Sequence, residues 1–364
     1  MAPALSGTLS VLFQFDVCEA IRLDELRRIL NVPPGGREPF FRQPVPEYVQ
    51  FARPPVVEAA LGPLVGGAGD ITGRVAYYDY GVVSLRLELP FAGGWSDLVG
   101  LAARWMNDPG LEPAAIEVVK RHLERAAPAL VGPYPERLSE DYFIIHVLSA
   151  TGPGGEPLGA PALIERFGGE IAQIVRGEPA PLSAAERAEI LEPRMSYYDS
   201  DLLVVGWTAA FLYDTPEGAA PTLQLLEYAN TQLLEFRHYD AVLTKLLAGV
   251  YQSLERGTGF LARWRLAREA ARLGTIRLDV RELTERMDNS IKFLSDMFAA
   301  RLYRMAAAKI GVPDYRTLVE EKLQSAGDLY GFMMDRFYQG RAFVMELMII
   351  IILLIDLAFL FRGK

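Results

Sequence analysis

Twenty residues near the end of the sequence, Ala342 to Phe361, constrain the fold more than any other stretch. At 1.5 Å per residue they make about 30 Å of helix, the thickness of a bilayer's hydrocarbon core. The centre, Leu347 to Ile355, is unbroken and apolar, with Arg341 before the run and Arg362 and Lys364 after it. The pattern predicts one C-terminal transmembrane helix, a tail anchor over 342–361. Glu346 and Asp356 lie within it. At the bilayer centre each acid would cost about 2.5–3.5 kcal/mol. Both sit near the ends, about 15 Å apart along the axis and about 80° around it. Two readings stand for these membrane acids: both face one partner helix or one polar cavity, or they snorkel towards the headgroups.

Orientation rests on the other end. Met1 to Ile21 has no basic n-region, since the first basic residue is Arg22. Its apolar part, Thr8–Val17, alternates with Gln14 and Asp16 as a strand does. The expected location is therefore the inner (cytoplasmic) membrane, single-pass, with the bulk of the chain in the cytoplasm.

Composition narrows the chemistry. The 364 residues carry 37 Lys+Arg against 46 Asp+Glu, a net −9, the opposite of a surface built wholly for nucleic acid. One cysteine (Cys18) forms no internal disulfide, and three histidines leave little for metal sites. There is no phosphate-binding Gly-x4-Gly-Lys-Ser/Thr loop, no His-Glu-x-x-His and no Gly-x-Ser-x-Gly. No catalytic set, metal set or cofactor is expected. Asp199 and Asp201, two apart on one strand face, are the material for a rival hydrolase, but nothing nearby completes an acid–base pair.

The body reads as α+β. Residues 1–150 give strands at Thr8–Val17, Glu47–Phe51, Val75–Leu89 (bent around Asp79–Gly81) and Asp141–Leu148. Helices fall at Leu23–Leu30, Ser96–Met106 and Pro113–Leu130. The order β-α-β-β-α-β predicts a ferredoxin-like α/β portion. Residues 151–220 form a second α/β portion, with helices near Ala160–Arg176 and Ala184–Leu191 and strands over Met195–Leu212. Here Tyr197-Tyr198-Asp199 echoes Tyr77-Tyr78-Asp79.

Residues 221–340 are a long helical region, with helices over Thr222–Glu255, over Arg277–Ala308 and after Gly311-Val312-Pro313-Asp314. Val319, Leu323, Ala326, Tyr330, Met333 and Phe337 step by four and three, a coiled-coil-like seam that runs on to Leu347. The seam suits an intramolecular helix pair or a homo-oligomer equally well. Between Gly259 and Arg277, Arg263, Arg265, Arg268, Arg272 and Arg277 face the single acid Glu269, with Trp264 among them. That patch suits anionic lipid headgroups or RNA, although a solvated helix face is the commoner origin of such a run.

Three stretches resemble a known family. They are Tyr78-Asp79-Tyr80-Gly81-Val82-Val83, the segment from Ser200 to Pro216-Glu217, and Leu226 to Asp240 with Glu227, Asn230, Glu235, Arg237, Tyr239 and Asp240. Together with the acid-bearing anchor, they resemble the YagE-like family named for "required for meiotic nuclear division", of which this would be a divergent bacterial-type member. The resemblance implies a membrane-anchored, self-associating organiser without catalysis. The expected function is thus a homo-oligomeric scaffold at the cytoplasmic membrane face; the alternative is a channel- or transporter-like oligomer lined by Glu346 and Asp356.

Overall fold

The computed structural model describes residues 5–32, 56–64, 71–152, 155–255, 272–285 and 297–362. The chain forms two compact units. One comprises Met1–His238 and Glu282–Arg316; the other comprises Tyr239–Arg281 and Thr317–Lys364.

The first unit is built on one eight-stranded sheet. In chain order the strands are β1 (Leu5–Ile21), β2 (Val56–Leu64), β3 (Ile71–Tyr78), β4 (Val82–Gly93), β5 (Leu130–Ala150), β6 (Arg194–Met195), β7 (Leu202–Val205) and β8 (Ala209–Tyr213). Their spatial order is β2-β3-β4-β1-β5-β8-β7-β6. β1 pairs antiparallel with both β4 and β5, and only β5–β8 is parallel. The helices that follow the early strands are α1 (Leu23–Leu30), α2 (Trp95–Met106) and α3 (Leu111–Ala126). After β5 come α4 (Ala160–Arg176) and α5 (Ala184–Leu191).

This order corrects the ferredoxin-like expectation. A split βαβ unit needs parallel strands joined through a crossing helix. Here every pair from β2 to β5 is antiparallel, and the β3–β4 connection is a tight turn at Gly81. The one parallel pair is closed by a long excursion through α4, α5, β6 and β7. Strands β6–β8 thus extend the same sheet that β1 begins. The expected strand at Glu47–Phe51 lies outside the described residues.

Side chains alternate across the sheet with the period of two that a strand imposes. One face carries Leu9, Val11, Phe13 and Phe15 of β1, Val83, Leu85 and Leu87 of β4, and Phe143, Ile145 and Val147 of β5. Against it pack Leu26 of α1, Trp95, Leu98 and Ala102 of α2, Val119 and Leu123 of α3, and Leu163 and Ile171 of α4. Trp95 stacks on Phe167 with ring centroids 4.6 Å apart. Helix α2 is capped by Gly94 rather than by Ser96, and the Gly94 N–H donates to Asp97 Oδ2 at 2.8 Å.

The opposite face is met by α6 (Pro216–Glu255), a 40-residue helix. Further helices are α7 (residues 272–285), α8 (Met297–Ile310) and α9 (Val312–Arg362). In α9 the side chains of Val319, Leu323, Ala326 and Tyr330 are buried within a single copy of the chain. Those of Met333 and Phe337 lie outside the described side chains.

The tail-anchor expectation is corrected. Among the described residues, no helix is long and apolar enough to cross a membrane. Of the apolar run, the described side chains are Met348 to Leu354, all exposed. Those seven residues span about 10 Å of helix against roughly 30 Å of hydrocarbon. Glu346 and Asp356 lie outside the described side chains. With the anchor go the readings built on it: the transmembrane helix, the single-pass inner-membrane location, the membrane scaffold and the channel-like alternative.

Candidate functional site

The second face of the sheet is buried too, and it sets polar groups among apolar ones such as Leu12, Val82 and Ile144. Ser10, Gln14 and Asp16 of β1, Ser84 and Arg86 of β4, and His146 of β5 all lie there out of solvent. Register sets them in rows: Gln14 stands between Ser84 on one side and Glu140 on the other, while Arg86 lies beside Leu12 and Arg74. Burying such groups is costly unless each finds a partner. The partners come from α6.

Glu227, Thr231, Glu235 and His238 are spaced by four, four and three, which aligns them on one helix face. Glu227 receives Arg86 Nη2 on Oε2 and the Ser84 hydroxyl on Oε1 at 2.6 Å. Both partners of the ion pair are nearly sealed, with side-chain exposures of 2% for Arg86 and 6% for Glu227. Gln14 Nε2 donates to the Glu227 carbonyl at 2.9 Å. Burial pushes the Glu227 carboxyl up, but Arg86, Arg74 and the Ser84 hydroxyl outweigh it and hold the group below its ordinary value.

Further along the helix, Tyr80 OH and Thr231 Oγ1 are 2.8 Å apart, and Leu234 packs with Ala76, Tyr78 and Val82. Then two further polar contacts close the interface. Arg237 meets Glu140, with its guanidinium 6.0 Å from the Tyr315 ring centre. His238 Nδ1 lies 2.5 Å from Asp16 Oδ2, and the Tyr134 ring stacks on the imidazole at 4.7 Å. Burial raises the Asp16 carboxyl above its ordinary range, and His238 offsets part of that rise. Cys18, on the same strand, is buried and pushed up to about 11, so its thiol stays protonated and is a poor nucleophile. Gln14 Oε1 and Arg86 Nε have no hydrogen-bond partner among the described residues.

The structure distributes the sequence candidates unevenly. Glu227, Asn230 and Glu235 are buried on α6 and Arg237 is half-buried beside them, with Asn230 Nδ2 donating to the Leu226 carbonyl at 2.8 Å. Gly81 makes the β3–β4 turn with φ +97°, and a Cβ there would lie 1.8 Å from the Cys18 carbonyl oxygen. Tyr239 and Asp240 belong to the second unit, where Asp240 Oδ1 accepts Lys322 Nζ at 2.5 Å. Arg263, Arg265 and Arg268 lie outside the described residues, while Arg272 and Arg277 are exposed on α7. Asp201 is committed to a turn, its two oxygens accepting the Tyr197 and Tyr198 amides at 2.7 and 2.8 Å. Among the described residues no group of three or more His, Cys, Asp or Glu is placed to hold a metal. Sequence reasoning missed Asp16, Ser84, Arg86, Glu140 and His238 as a set. The available signal was the polar half of otherwise apolar strands.

Residues 6–220 match the family described as "Uncharacterized protein MJ0711, N-terminal domain". The chain belongs to that family. The matched region holds the whole eight-stranded sheet and ends as α6 begins. The sheet-side residues Gln14, Asp16, Ser84, Arg86 and Glu140 therefore lie inside the MJ0711 N-terminal domain match, and their α6 partners beyond it. The chain is also similar to "Uncharacterized protein MJ0711" of Methanocaldococcus jannaschii, 19% identical over 169 residues, 46% of this chain and 52% of that protein. It spans about half the length of that relative. No solved structure matches. Membership in the MJ0711 N-terminal domain family replaces the YagE-like assignment, whose motifs were short and whose anchor is among the corrected features.

Proposed function

We propose that the first unit is a recognition domain without turnover, and that what its polar sheet face recognises is helix α6 of its own chain. Its role is to hold that helix in one register and one rotation. The observation that carries this reading is the Arg86–Glu227 pair with Ser84 and Gln14 on the same residue. Catalysis needs an acid, base or nucleophile free to exchange protons with a substrate. Here Glu227, Asp16, His238 and Glu140 are each engaged by another protein group, and the Cys18 thiol is protonated. Directional bonds of this kind fix one arrangement, whereas an apolar contact tolerates sliding.

Hydrogen exchange tests the reading. In Arg86→Met, amide protection over 222–238 should fall by about 10²–10³, as a loss of about 3–4 kcal/mol of local stability implies. Unchanged protection of α6 in that variant would show that the network does not hold the helix.

A further inference from the structure

A second feature lies away from this face, at the β6–β7 turn, and owes nothing to the helix-holding reading. Residues 196–201 form a turn fixed from several sides. Asp201 accepts the Tyr197 and Tyr198 amides, and Ser196 Oγ donates to the Tyr198 carbonyl at 3.0 Å and to the Asp201 carbonyl. The Asp199 carbonyl in turn accepts the Ala160 N–H at the start of α4 at 2.7 Å. Upon this frame the Tyr197 and Tyr198 side chains stand 59% and 67% exposed. Their rings meet edge to face at 4.7 Å, and Tyr197 meets Phe298 edge-on at 5.0 Å. Met297 beside it is exposed as well.

Tyrosines held rigidly on a surface are the anchors that binding faces use, because little side-chain entropy is left to lose on contact. The charge of the surroundings selects the partner. Ring faces carry negative potential. Asp199 is exposed on the same turn. Among the described residues, Arg194 donates to the Leu191 carbonyl. We propose that Tyr197, Tyr198 and Asp199 form a docking site for an arginine-bearing segment of a partner protein, the guanidinium stacking on the rings beside the carboxylate.

The test uses the full chain and a fluorescent Arg-Gly hexapeptide, read by anisotropy, with Glu-Gly and Ser-Gly hexapeptides alongside. Tyr197→Ala/Tyr198→Ala keeps the amides that Asp201 binds, so circular dichroism and melting should be unchanged. We expect the arginine peptide alone to bind, with affinity about tenfold weaker in the double variant and about threefold weaker in Asp199→Asn. Equal binding of the three peptides, or undiminished binding to the double variant, overturns the proposal. So does a wild-type dimer in sedimentation that the double variant dissociates, because the patch would then belong to a second copy.

Discussion

The two faces of the sheet bury comparable side chains by opposite chemistry. On one, Phe13, Leu85 and Ile145 meet α1–α4 through contacts with no directional demand. Each such side chain gains about 1.5–3 kcal/mol from leaving water. On the other, Arg86, Ser84, Gln14 and Asp16 meet α6 through hydrogen bonds and ion pairs. A buried ion pair contributes little net stability compared with an apolar pair of the same volume, yet breaking it from one side is expensive. The apolar face makes the domain stable; the polar face decides which part of α6 lies where.

The largest expected effects test that division. Phe13→Ala should cost about 3–5 kcal/mol in denaturant unfolding, through lost burial and the cavity left behind. Arg86→Met should cost a similar 3–5 kcal/mol, because Glu227 is left charged and sealed. The faces part in the second step. Adding Glu227→Leu to Arg86→Met removes the stranded charge and should restore most of the loss, while no single partner substitution repairs Phe13→Ala. If the double variant is as unstable as Arg86→Met alone, the polar face is contributing stability outright and the contrast fails.

Next in size is Gly81→Ala. The turn at Gly81 starts β4 and so delivers Ser84 and Arg86 to the polar face, with Val17 N–H donating to the Gly81 carbonyl at 3.1 Å. Its φ of +97° and the close Cys18 carbonyl leave no room for a methyl. A loss of about 2–3 kcal/mol is expected. A neutral result would mean that the turn relaxes freely and that β4's register is set elsewhere.

Much of this was legible in the chain and some was not, for physical reasons. The strand at Thr8–Val17 and the helices at Leu23–Leu30, Ala160–Arg176 and Ala184–Leu191 follow from periodicity and punctuation, and the structure places them there. Strand order does not follow, because pairing is decided by contacts far apart in sequence, such as Phe143 with Ala209. The twin Tyr-Tyr-Asp tripeptides show the limit most clearly. Tyr77 and Tyr78 are buried at the end of β3, with Tyr77 OH 3.2 Å from His122 Nδ1, whereas Tyr197 and Tyr198 stand in solvent. Identical local sequence met opposite surroundings. The candidate site was half visible: the polar stripe of α6 could be read at helical spacing, but its partners on three strands could not be joined before the sheet was known.

Acid should weaken the polar face in two stages. Burial holds His146 below its ordinary 6.5, with the Asp214 carbonyl at 3.0 Å offsetting part of the shift. Its folded pKa is depressed, so the unfolded chain takes up the proton first and stability falls as pH drops below about 6.5. His122, lowered by burial and by Arg125 and Arg121, adds to the same limb. Glu227 is likewise depressed below 4.5, so its contribution is complete above that pH and is lost as pH falls through the folded value. Asp16 has the opposite sign, its raised pKa making protonation favour the native state and blunting the second stage. Unfolding free energy should decline between pH 7 and 5.5. His146→Gln should flatten that part of the curve; an unchanged slope would remove His146 from the account.

The smallest effect belongs to an ion pair outside the sheet face, which makes it the control for the whole comparison. In the second unit Lys322 Nζ lies 2.5 Å from Asp240 Oδ1 and 2.7 Å from Thr244 Oγ1, and the charged side chains are 24% and 21% exposed. Water reaches both ions, so neither is stranded when the other is removed, and side-chain entropy offsets part of the attraction. Asp240→Asn and Lys322→Met should each cost no more than about 0.5–1 kcal/mol, with a coupling energy of the same size that shrinks in 0.5 M salt. The Arg86–Glu227 coupling, sealed from solvent, should be several times larger and nearly indifferent to salt. Equal couplings and equal salt responses at the two pairs would show that burial is not what separates them, and the polar face would lose its claim to be special.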